Sequence, residues 1–260
     1  MNDAIKKAAQ ILKSAENIVV LTGAGISTES GIKDFRSRSG IYTESPEYIL
    51  SLDYFFEHPK KFYEFAMKNL YHPDALPNDG HKILVKWEKE GRISRIITQN
   101  IDALHEKAGS NNVIEFHGTM KTASCVHCGA VYTAEEMKKR MAVSAEYYVC
   151  DQCSTSYKEG RYIKPDVVLF GGAGEWFTEE GFESILNTVS QADCLLVLGT
   201  SLKVTPFSLF PQARKPGVPL VIVNIGDTPY DNELNTYVIQ EPIGQTLHVI
   251  DQHLNDENRD

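Results

Sequence analysis

The sequence predicts an α/β protein with a doubly wound parallel sheet and an inserted small domain. Six short apolar runs each end in Gly, Asn, Ser, Thr or His, and helical patterns such as 80–90 and 178–190 separate several of them. Residues 34–76 and 119–164 interrupt this alternation, the first with aromatic-rich helical patterns and the second with four paired cysteines. The alternation is typical of a Rossmann-like fold, and the two interruptions together predict a helical module plus a zinc ribbon.

The chain begins with a predicted helix and a buried strand. Residues 3–15 carry alanine, isoleucine and leucine at i, i+3, i+4 and i+7, which places them on one helical face. The run 17–22 is apolar and rich in β-branched residues, as buried parallel strands are. The predicted Rossmann-like domain therefore comprises 1–33, 77–118 and 165–260, and the small domain comprises the two interruptions.

Five further strands are predicted, each with a polar or glycine-containing end. They are expected at 93–98, 113–116, 167–170, 194–198 and 220–223. The residues that follow them are Gln99–Asp102, His117–Gly118, Gly171–Gly172, Gly199–Ser201 and Asn224–Gly226. Parallel strands bring their carboxyl ends to one edge of a sheet, so these residues are expected to form a site there. For any single strand, an ordinary turn is the simpler alternative.

Composition excludes several classes of protein. Lys and Arg total 26 against 35 Asp and Glu, a net charge of −9, which argues against binding to a nucleic-acid backbone. No apolar run approaches the roughly 20 residues of a membrane helix. The first residues lack the apolar core of a secretory signal. A cytoplasmic, monomeric protein without a nucleic-acid or membrane partner is expected.

Four of the five cysteines predict a metal site. Cys125 and Cys128 form one CxxC pair, Cys150 and Cys153 form another, and 21 residues separate the pairs. This spacing is typical of a zinc ribbon, whose closed thiolate shell is structural and not catalytic. Redox pairs or free thiols remain alternatives, and a tetrathiolate shell also suits iron. Cys194 opens a buried strand and is expected in the core.

A glycine loop follows the first strand. Gly23 and Gly25 stand where a dinucleotide fingerprint lets the backbone approach a pyrophosphate. The third glycine of that fingerprint is absent, because Thr28 occupies its place, and no acidic residue follows at the distance typical of dehydrogenases. The loop thus indicates a nucleotide but argues against hydride transfer, with a plain tight turn as the alternative.

Several segments, in this order, resemble the sirtuin family of NAD-dependent protein deacylases over residues 3–250. They are GAGISTESGIKDFRS (23–37), TQNIDALHEKAG (98–109), FHG (116–118), the two CxxC pairs, KPDVVLFG (164–171), GTSLKVTP (199–206) and VIVN (221–224). The resemblance implies NAD as co-substrate, structural zinc and an acyl-lysine protein or peptide as partner. In such enzymes the acyl oxygen attacks the nicotinamide ribose, nicotinamide leaves, and the products are lysine and O-acyl-ADP-ribose.

The resemblance also implies roles for individual residues. His117 would be the base for the ribose hydroxyls, with Gly118 leaving room for substrate, and Asn100 and Asp102 would complete the catalytic set. Arg36 would clamp phosphate, and hydroxyls such as that of Ser27 would lie near the phosphates. The implied NAD-binding set is Gly23, Ala24, Gly25, Ser27, Asp34, Phe35, Arg36, Gln99, Asn100, Ile101, Asp102, His117, Gly199, Thr200, Ser201, Asn224 and Ile225.

The acyl-lysine peptide would pair as a strand between segments 170–172 and 201–205. The implied substrate-binding residues are Val168, Leu169, Phe170, Gly171 and Val204. Gly172 departs from the family, which has Glu there, so the peptide preference is open. Family members that take acidic acyl groups carry Tyr and, three residues later, Arg; the matching pair here is Tyr63 and Ala66, which favours neutral acyl groups.

Two other functions stay open at this point. An NAD-dependent ADP-ribosyltransferase or NAD glycohydrolase would use the same pocket, and the altered 170–172 segment favours it. A catalytically silent NAD sensor or a zinc-supported interaction module is the alternative outside enzymes, and the presence of His117, Asn100 and Asp102 argues against it.

Overall fold

The computed structural model describes residues 3–153 and 160–255. The α-helices are α1 (Asp3–Ser14), α2 (Leu52–Glu57), α3 (Pro59–Asn69), α4 (Asp79–Lys89), α5 (Leu104–Ala108), α6 (Ala134–Val143), α7 (Glu179–Gln191) and α8 (Ile243–Asn255). The strands are β1 (Ile18–Thr22), β2 (Ile93–Thr98), β3 (Val113–Glu115), β4 (Gly118–Cys125), β5 (Val131–Thr133), β6 (Ile163–Val167), β7 (Cys194–Leu198), β8 (Leu220–Val223) and β9 (Thr236–Ile239). Within these ranges, no helix has both the length and the apolar character needed to span a membrane.

Six strands form a parallel sheet in the order β3-β2-β1-β7-β8-β9. The strand order reverses between β1 and β7, so the loops that follow these two strands diverge from neighbouring positions and leave a crevice, as in other doubly wound sheets. The backbone holds the two loops together there, because Gly25 donates its N–H to the carbonyl of Gly199 at 2.8 Å. The predicted Rossmann-like sheet is confirmed.

Helices cover both faces of this sheet, which is why its central strands are apolar throughout. On one face, α1, α4 and α8 pack against strand residues such as Val20, Leu196 and Val221. On the other face, α7 and a 3-10 helix at Phe207–Ala213 cover Leu195 and the strand residues beside it. Cys194 is fully buried on the first face, as expected for a core cysteine. Burying each of these large apolar side chains stabilises the fold by roughly 1.5–3 kcal/mol.

A second, antiparallel sheet has the order β5-β4-β6. Its core is aromatic, with Phe55, Phe62 and Tyr147 packed beside the cysteines. Helix α6 begins with a capping box, in which Thr133 and Glu136 satisfy each other's backbone N–H groups. We propose that this sheet with α2, α3 and α6 is the inserted small domain, reaching slightly past the predicted limits to Gly118 and Val167.

One predicted strand of the parallel sheet is wrong. The run 167–170 does not join that sheet, because β6 (Ile163–Val167) pairs with β4 in the small sheet and Val168–Phe170 follows it. Burial alternates from Ile163 to Phe170, as on a half-exposed strand, whereas central parallel strands are buried at every residue. The sixth parallel strand is β9, whose half-buried edge position gave no continuous apolar signal.

Candidate active site

A cavity of about 720 Å³ opens where the strand ends of the parallel sheet meet the small sheet. All the predicted NAD-binding residues except Gly23 line it, as do all five predicted substrate-binding residues. Side chains from the ends of β1, β2, β7 and β8 therefore converge, as their shared sheet edge predicted. None of the four paired cysteines lines this cavity.

The glycines of the first loop are required by the protein's own packing. A Cβ atom on Gly25 would lie 2.6 Å from the Cα of Gly199, and one on Gly23 would lie 2.7 Å from the Cβ of Thr200. The expectation that Gly23 lets a pyrophosphate approach is wrong, because its missing side chain makes room for the loop after β7. The following segment, Ala24–Ser30, is a 3-10 helix.

Ser27 connects the two predicted catalytic residues of the loop after β2. Its hydroxyl donates to Oδ2 of Asp102 at 2.6 Å and accepts from Nδ2 of Asn100 at 3.1 Å. Ser27 is buried and also lines the cavity, so its expected place near the phosphates stays a prediction. Burial raises the pKa of Asp102, although hydrogen bonds from Ser27 and from the N–H of Leu104 oppose that rise.

His117 is held as a neutral imidazole. Its Nδ1 lies 3.3 Å from the carbonyl oxygen of Gln99, and a carbonyl can only accept, so Nδ1 carries the proton and Nε2 keeps its lone pair. Burial lowers the pKa of His117 to about 4, and the Gln99 hydrogen bond opposes this only in part. The rings of Phe116 and Phe207 pack beside the imidazole, with centroids 5.2 and 6.3 Å from it. A neutral base thus lines the cavity.

Backbone packing requires a glycine at position 118. Its φ is +77°, and a Cβ atom there would lie 2.0 Å from the carbonyl oxygen of Asp166 on β6. The expectation that Gly118 leaves room for a substrate is wrong, because the close pairing of β4 with β6 occupies that space. The same glycine lets the chain pass from His117 into the small sheet.

Thr200 joins two strand ends. Its hydroxyl donates to Oε1 of Gln99 at 2.7 Å and accepts the backbone N–H of Leu202 at 3.1 Å. The Thr200 side chain thereby caps the backbone that follows β7 and ties it to the end of β2. Gln99 is consequently fixed from both sides, through its side chain by Thr200 and through its carbonyl by His117.

The loop after the 3-10 helix lies against the cavity rim. Arg36 donates to Oε1 of Glu47 at 2.7 Å, and its guanidinium stacks over the ring of Tyr42. Phe35 packs against the same tyrosine, with ring centroids 5.4 Å apart. Arg36 lines the cavity but has a carboxylate partner in this arrangement, so a phosphate clamp requires Arg36 to exchange Glu47 for the phosphate.

The predicted substrate segment is paired on one side. Phe170 donates its N–H to the carbonyl of Leu50 and accepts the N–H of Leu52, both at 2.9 Å. Leu169 is buried in the small-sheet core, while Val168 and Phe170 alternate to its other side. A peptide strand must therefore use backbone groups other than those of Phe170 in this segment.

The four predicted metal ligands converge. Their Sγ atoms all lie within 4.8 Å of one another, with Cys125 to Cys153 at 3.5 Å and Cys128 to Cys150 at 3.7 Å. A tetrahedral zinc site with Zn–S bonds of about 2.3 Å has sulfur pairs about 3.8 Å apart, so the cluster fits structural zinc. The four sulfur atoms share one cluster and are not joined as two disulfides, an arrangement that favours a tetrathiolate metal site.

Comparison with known proteins settles the family. The Sir2 family model matches residues 23–206, which include the glycine loop, His117, the four cysteines and the segment after β7. The chain belongs to the Sir2 family. The NAD-dependent protein deacetylase of Thermotoga maritima is 39% identical to it over 230 residues, covering 88% of this chain and 89% of that protein. The NAD-dependent protein deacetylase of Bacillus subtilis is 41% identical over 247 residues, covering 90% and 94%.

Solved Sir2 structures share the fold of this Sir2-family protein. A structure of Sir2 with a p53 peptide and NAD⁺ has a TM-score of 0.82 and 35% identity, covering 96% of this chain and 97% of that one. A structure of Sir2 bound to a propionylated peptide has a TM-score of 0.81 and 35% identity, covering 95% and 96%.

The sequence comparison within the Sir2 family placed the acyl-selecting pair on the wrong residues. Tyr63 and Ala66 are buried in the small-sheet core, the Tyr63 hydroxyl donates to the carbonyl of Ile163 at 3.0 Å, and neither residue lines the cavity. Cavity-lining residues that sequence reasoning missed include Ile32, Ile41, Tyr42, Leu50, Asn69, Leu70 and His72. Ile32 lies within the 23–37 motif but was not singled out. No local motif marks the other six, which come from separate short elements between residues 41 and 72.

Proposed function

We propose that this chain is an NAD-dependent protein-lysine deacetylase that transfers the acetyl group to ADP-ribose and releases nicotinamide. One observation carries this proposal: a neutral imidazole, His117, and the Asn100–Ser27–Asp102 network line the same cavity. The relatives named as NAD-dependent protein deacetylases, about 40% identical over most of the chain, support it.

His117 is proposed as the general base. With the proton on Nδ1 fixed by the Gln99 carbonyl, Nε2 is the atom that accepts a proton from a ribose hydroxyl as that oxygen becomes a nucleophile. Neutral imidazole is required for this step, and burial keeps His117 neutral. His117 acts only when the hydroxyl reaches hydrogen-bond distance, so the cavity walls must orient the ribose.

Asp102 and Asn100 are proposed to hold the nicotinamide end. A half-buried carboxylate can accept N–H bonds from a carboxamide, and the Ser27 hydroxyl holds the Asp102 side chain through Oδ2. Ala24, Ile101 and Phe35 are proposed as the apolar walls that exclude water from the reacting carbon.

The remaining cofactor residues are proposed to hold the two phosphates and the adenosine. Gly25, Gly199 and Ser201 line the crossing of the loops after β1 and β7, where backbone groups can contact phosphate. Asn224 and Ile225 line the cavity after β8 and are proposed for the adenosine end, where Ile225 exposes an apolar side chain.

The acyl-lysine partner is proposed to enter between the segments 170–172 and 201–205. Gly171 and Val204 both line the cavity and are proposed to supply backbone groups for strand pairing. Val168 and Phe170 are proposed to line the lysine tunnel. Ile41 and Leu50 make the inner wall apolar, which supports a neutral acyl group, acetyl first.

The zinc is proposed as structural, because four thiolates complete a tetrahedral shell. An odd number of cysteines, four of them in metal-binding CxxC pairs, supports a reducing compartment such as the cytoplasm. The net charge of −9 supports a protein partner over nucleic acid.

The test is mass spectrometry of the products formed from NAD and a panel of acyl-lysine peptides. Deacetylated peptide, nicotinamide and O-acetyl-ADP-ribose in equal amounts are expected, with acetyl preferred to succinyl. Nicotinamide release without any acyl-lysine, or ADP-ribose attached to protein, would instead identify a glycohydrolase or an ADP-ribosyltransferase and overturn the proposal.

A further inference from the structure

A buried histidine outside the cavity is linked to the loop that carries Asn100. His105 lies in α5, is 2% exposed, and places Nε2 2.9 Å from Oγ1 of Thr22 at the end of β1. The Thr22 hydroxyl donates to Oγ1 of Thr98 at 2.7 Å, and Thr98 accepts the backbone N–H of Asn100 at 3.0 Å. A continuous chain of hydrogen bonds therefore runs from the imidazole to the start of this loop.

The end of the same loop is fixed by the helix that carries His105. Helix α5 begins at Leu104, whose N–H donates to Oδ1 of Asp102 at 2.9 Å. Ala103 between them has a φ of +59°, a left-handed conformation that residues other than glycine rarely adopt. Such a turn persists only when surrounding contacts hold it. The position of α5 thus sets the position of the Asp102 carboxylate.

We propose that His105 is a positioning residue for the reaction: it fastens α5 to the ends of β1 and β2, and thereby holds Asn100 and Asp102 in register with the nicotinamide end of the cavity. The inference rests on the proposed function. Since Thr22 donates to Thr98, its oxygen accepts from Nε2–H of His105.

His105 is not itself a proton carrier. It does not line the cavity, and within the described residues its Nδ1 has no hydrogen-bond partner. Burial lowers the pKa of His105 to about 3, with the nearby His81 adding to the effect, so the ring stays neutral at working pH. The bond to Thr22 is therefore the polar contact through which His105 acts.

His81 supplies a matched control. Its ring lies 4.9 Å from that of His105, and it is also fully buried. Neither of its ring nitrogens has a hydrogen-bond partner in the described part of the chain. Replacing His81 with Leu therefore removes an imidazole from the same packed region and leaves intact the hydrogen bonds that link His105 to Asn100.

The experiment compares His105→Leu, His105→Gln, Thr22→Val and His81→Leu with the wild type. For each, kcat and KM are measured for acetyl-peptide-dependent nicotinamide release, NAD affinity by calorimetry, and the folded fraction by circular dichroism. His105→Leu and Thr22→Val are expected to lower kcat by about tenfold or more and to weaken NAD binding, because small displacements of reacting groups are costly. Their KM for peptide should not change. His105→Gln restores a side-chain donor, so it and His81→Leu should resemble the wild type.

The inference would be overturned if His105→Leu kept wild-type kcat and NAD affinity. It would also be overturned if His81→Leu lost as much kcat and NAD affinity as His105→Leu, or if His105→Gln were as impaired as His105→Leu. If His105→Leu does not fold, Thr22→Val carries the test, because it removes one hydroxyl and keeps the side-chain shape. A wild type that binds NAD but releases no nicotinamide with acetyl-peptide contradicts the proposed function alone. The NAD affinities of the variants then still decide the role of His105.

Discussion

The hydroxyl of Ser27 donates a 2.6 Å hydrogen bond to the carboxylate of Asp102, across 75 positions of sequence. The bond joins the loop after β1 to the loop after β2 at the floor of the cavity, and the same hydroxyl accepts from Asn100. It therefore couples the orientation of Asp102, the acceptor that we propose for the nicotinamide carboxamide, to the packing of the glycine loop. Disturbing it should affect the nicotinamide end before any other part of the site.

Ser27→Ala tests this coupling. Asp102 would lose a hydrogen bond that lowers its pKa, so the pKa of the buried carboxyl should rise further and its orientation should loosen. We expect kcat to fall by about tenfold and inhibition by added nicotinamide to weaken, measured by initial rates of deacetylation. Ser14→Ala, which removes an exposed hydroxyl in α1, is the control. Unchanged nicotinamide inhibition in Ser27→Ala would contradict the assignment of Asp102.

His117→Ala should reduce deacetylation by about two orders of magnitude or more, because it removes the proposed general base. In the wild type, the neutral form of His117 is needed and its pKa lies at about 4. His117 becomes protonated, and stops acting as a base, only as the pH falls through about 4. We therefore expect kcat to stay level well below pH 6.5, although a free histidine would already be protonated there. A pH–rate profile in which kcat falls with a midpoint near 6.5 would contradict a buried base.

Stability should also depend on pH through the buried histidines. The pKa of His81 is lowered by burial to about 4, whereas the unfolded chain has the ordinary value of about 6.5. The unfolded state therefore binds more protons as pH falls below about 6.5, and stability is lost between that value and about pH 4. Urea unfolding should show a midpoint at pH 5 below that at pH 7.5. His81→Leu should make this difference smaller, and an unchanged difference would show that His81 does not contribute.

Metal content tests the cysteine cluster. Cys150→Ser should lose bound zinc and lower the melting temperature, because one ligand of a structural tetrahedral site is gone. Cys194→Ala is the matched control, since it removes a buried thiol from the other core and should keep one metal per chain. Metal is measured by elemental analysis, which also distinguishes zinc from iron. Full zinc content in Cys150→Ser would exclude this cluster as the site.

Charge at the peptide entrance gives a specificity prediction. Lys203 is exposed and lines the cavity on the side of segment 201–205, and Gly172 offers no charge on the facing segment. Acetyl-lysine peptides with acidic neighbours should therefore have a higher kcat/KM than basic ones, by several-fold. Lys203→Glu should reverse the order, whereas the exposed Lys215→Glu, beyond the cavity, should not. Equal preference in both variants would remove Lys203 from substrate selection.

Local sequence determined much of this protein. The spacing of the cysteines alone identified the metal ligands. Hydrophobic periodicity and composition identified five of the six parallel strands. They also identified helices that begin and end near the predicted positions. The sequence also predicted that the residues after those strands lie close together, because parallel strands in one sheet present their carboxyl ends at one edge. These signals depend on residues that are close in sequence, so they can be read without knowing how the chain packs.

Only the tertiary structure decided the rest. It assigned Ile163–Val167 to the small sheet, gave Gly23 and Gly118 packing roles, and joined Ser27 to Asp102. Each of these depends on an atom distant in sequence, such as the Asp166 carbonyl that fills the space beside Gly118. The His105 chain likewise crosses three elements. Sequence fixes which groups are available and their local geometry, whereas close packing decides which partner each buried polar group meets.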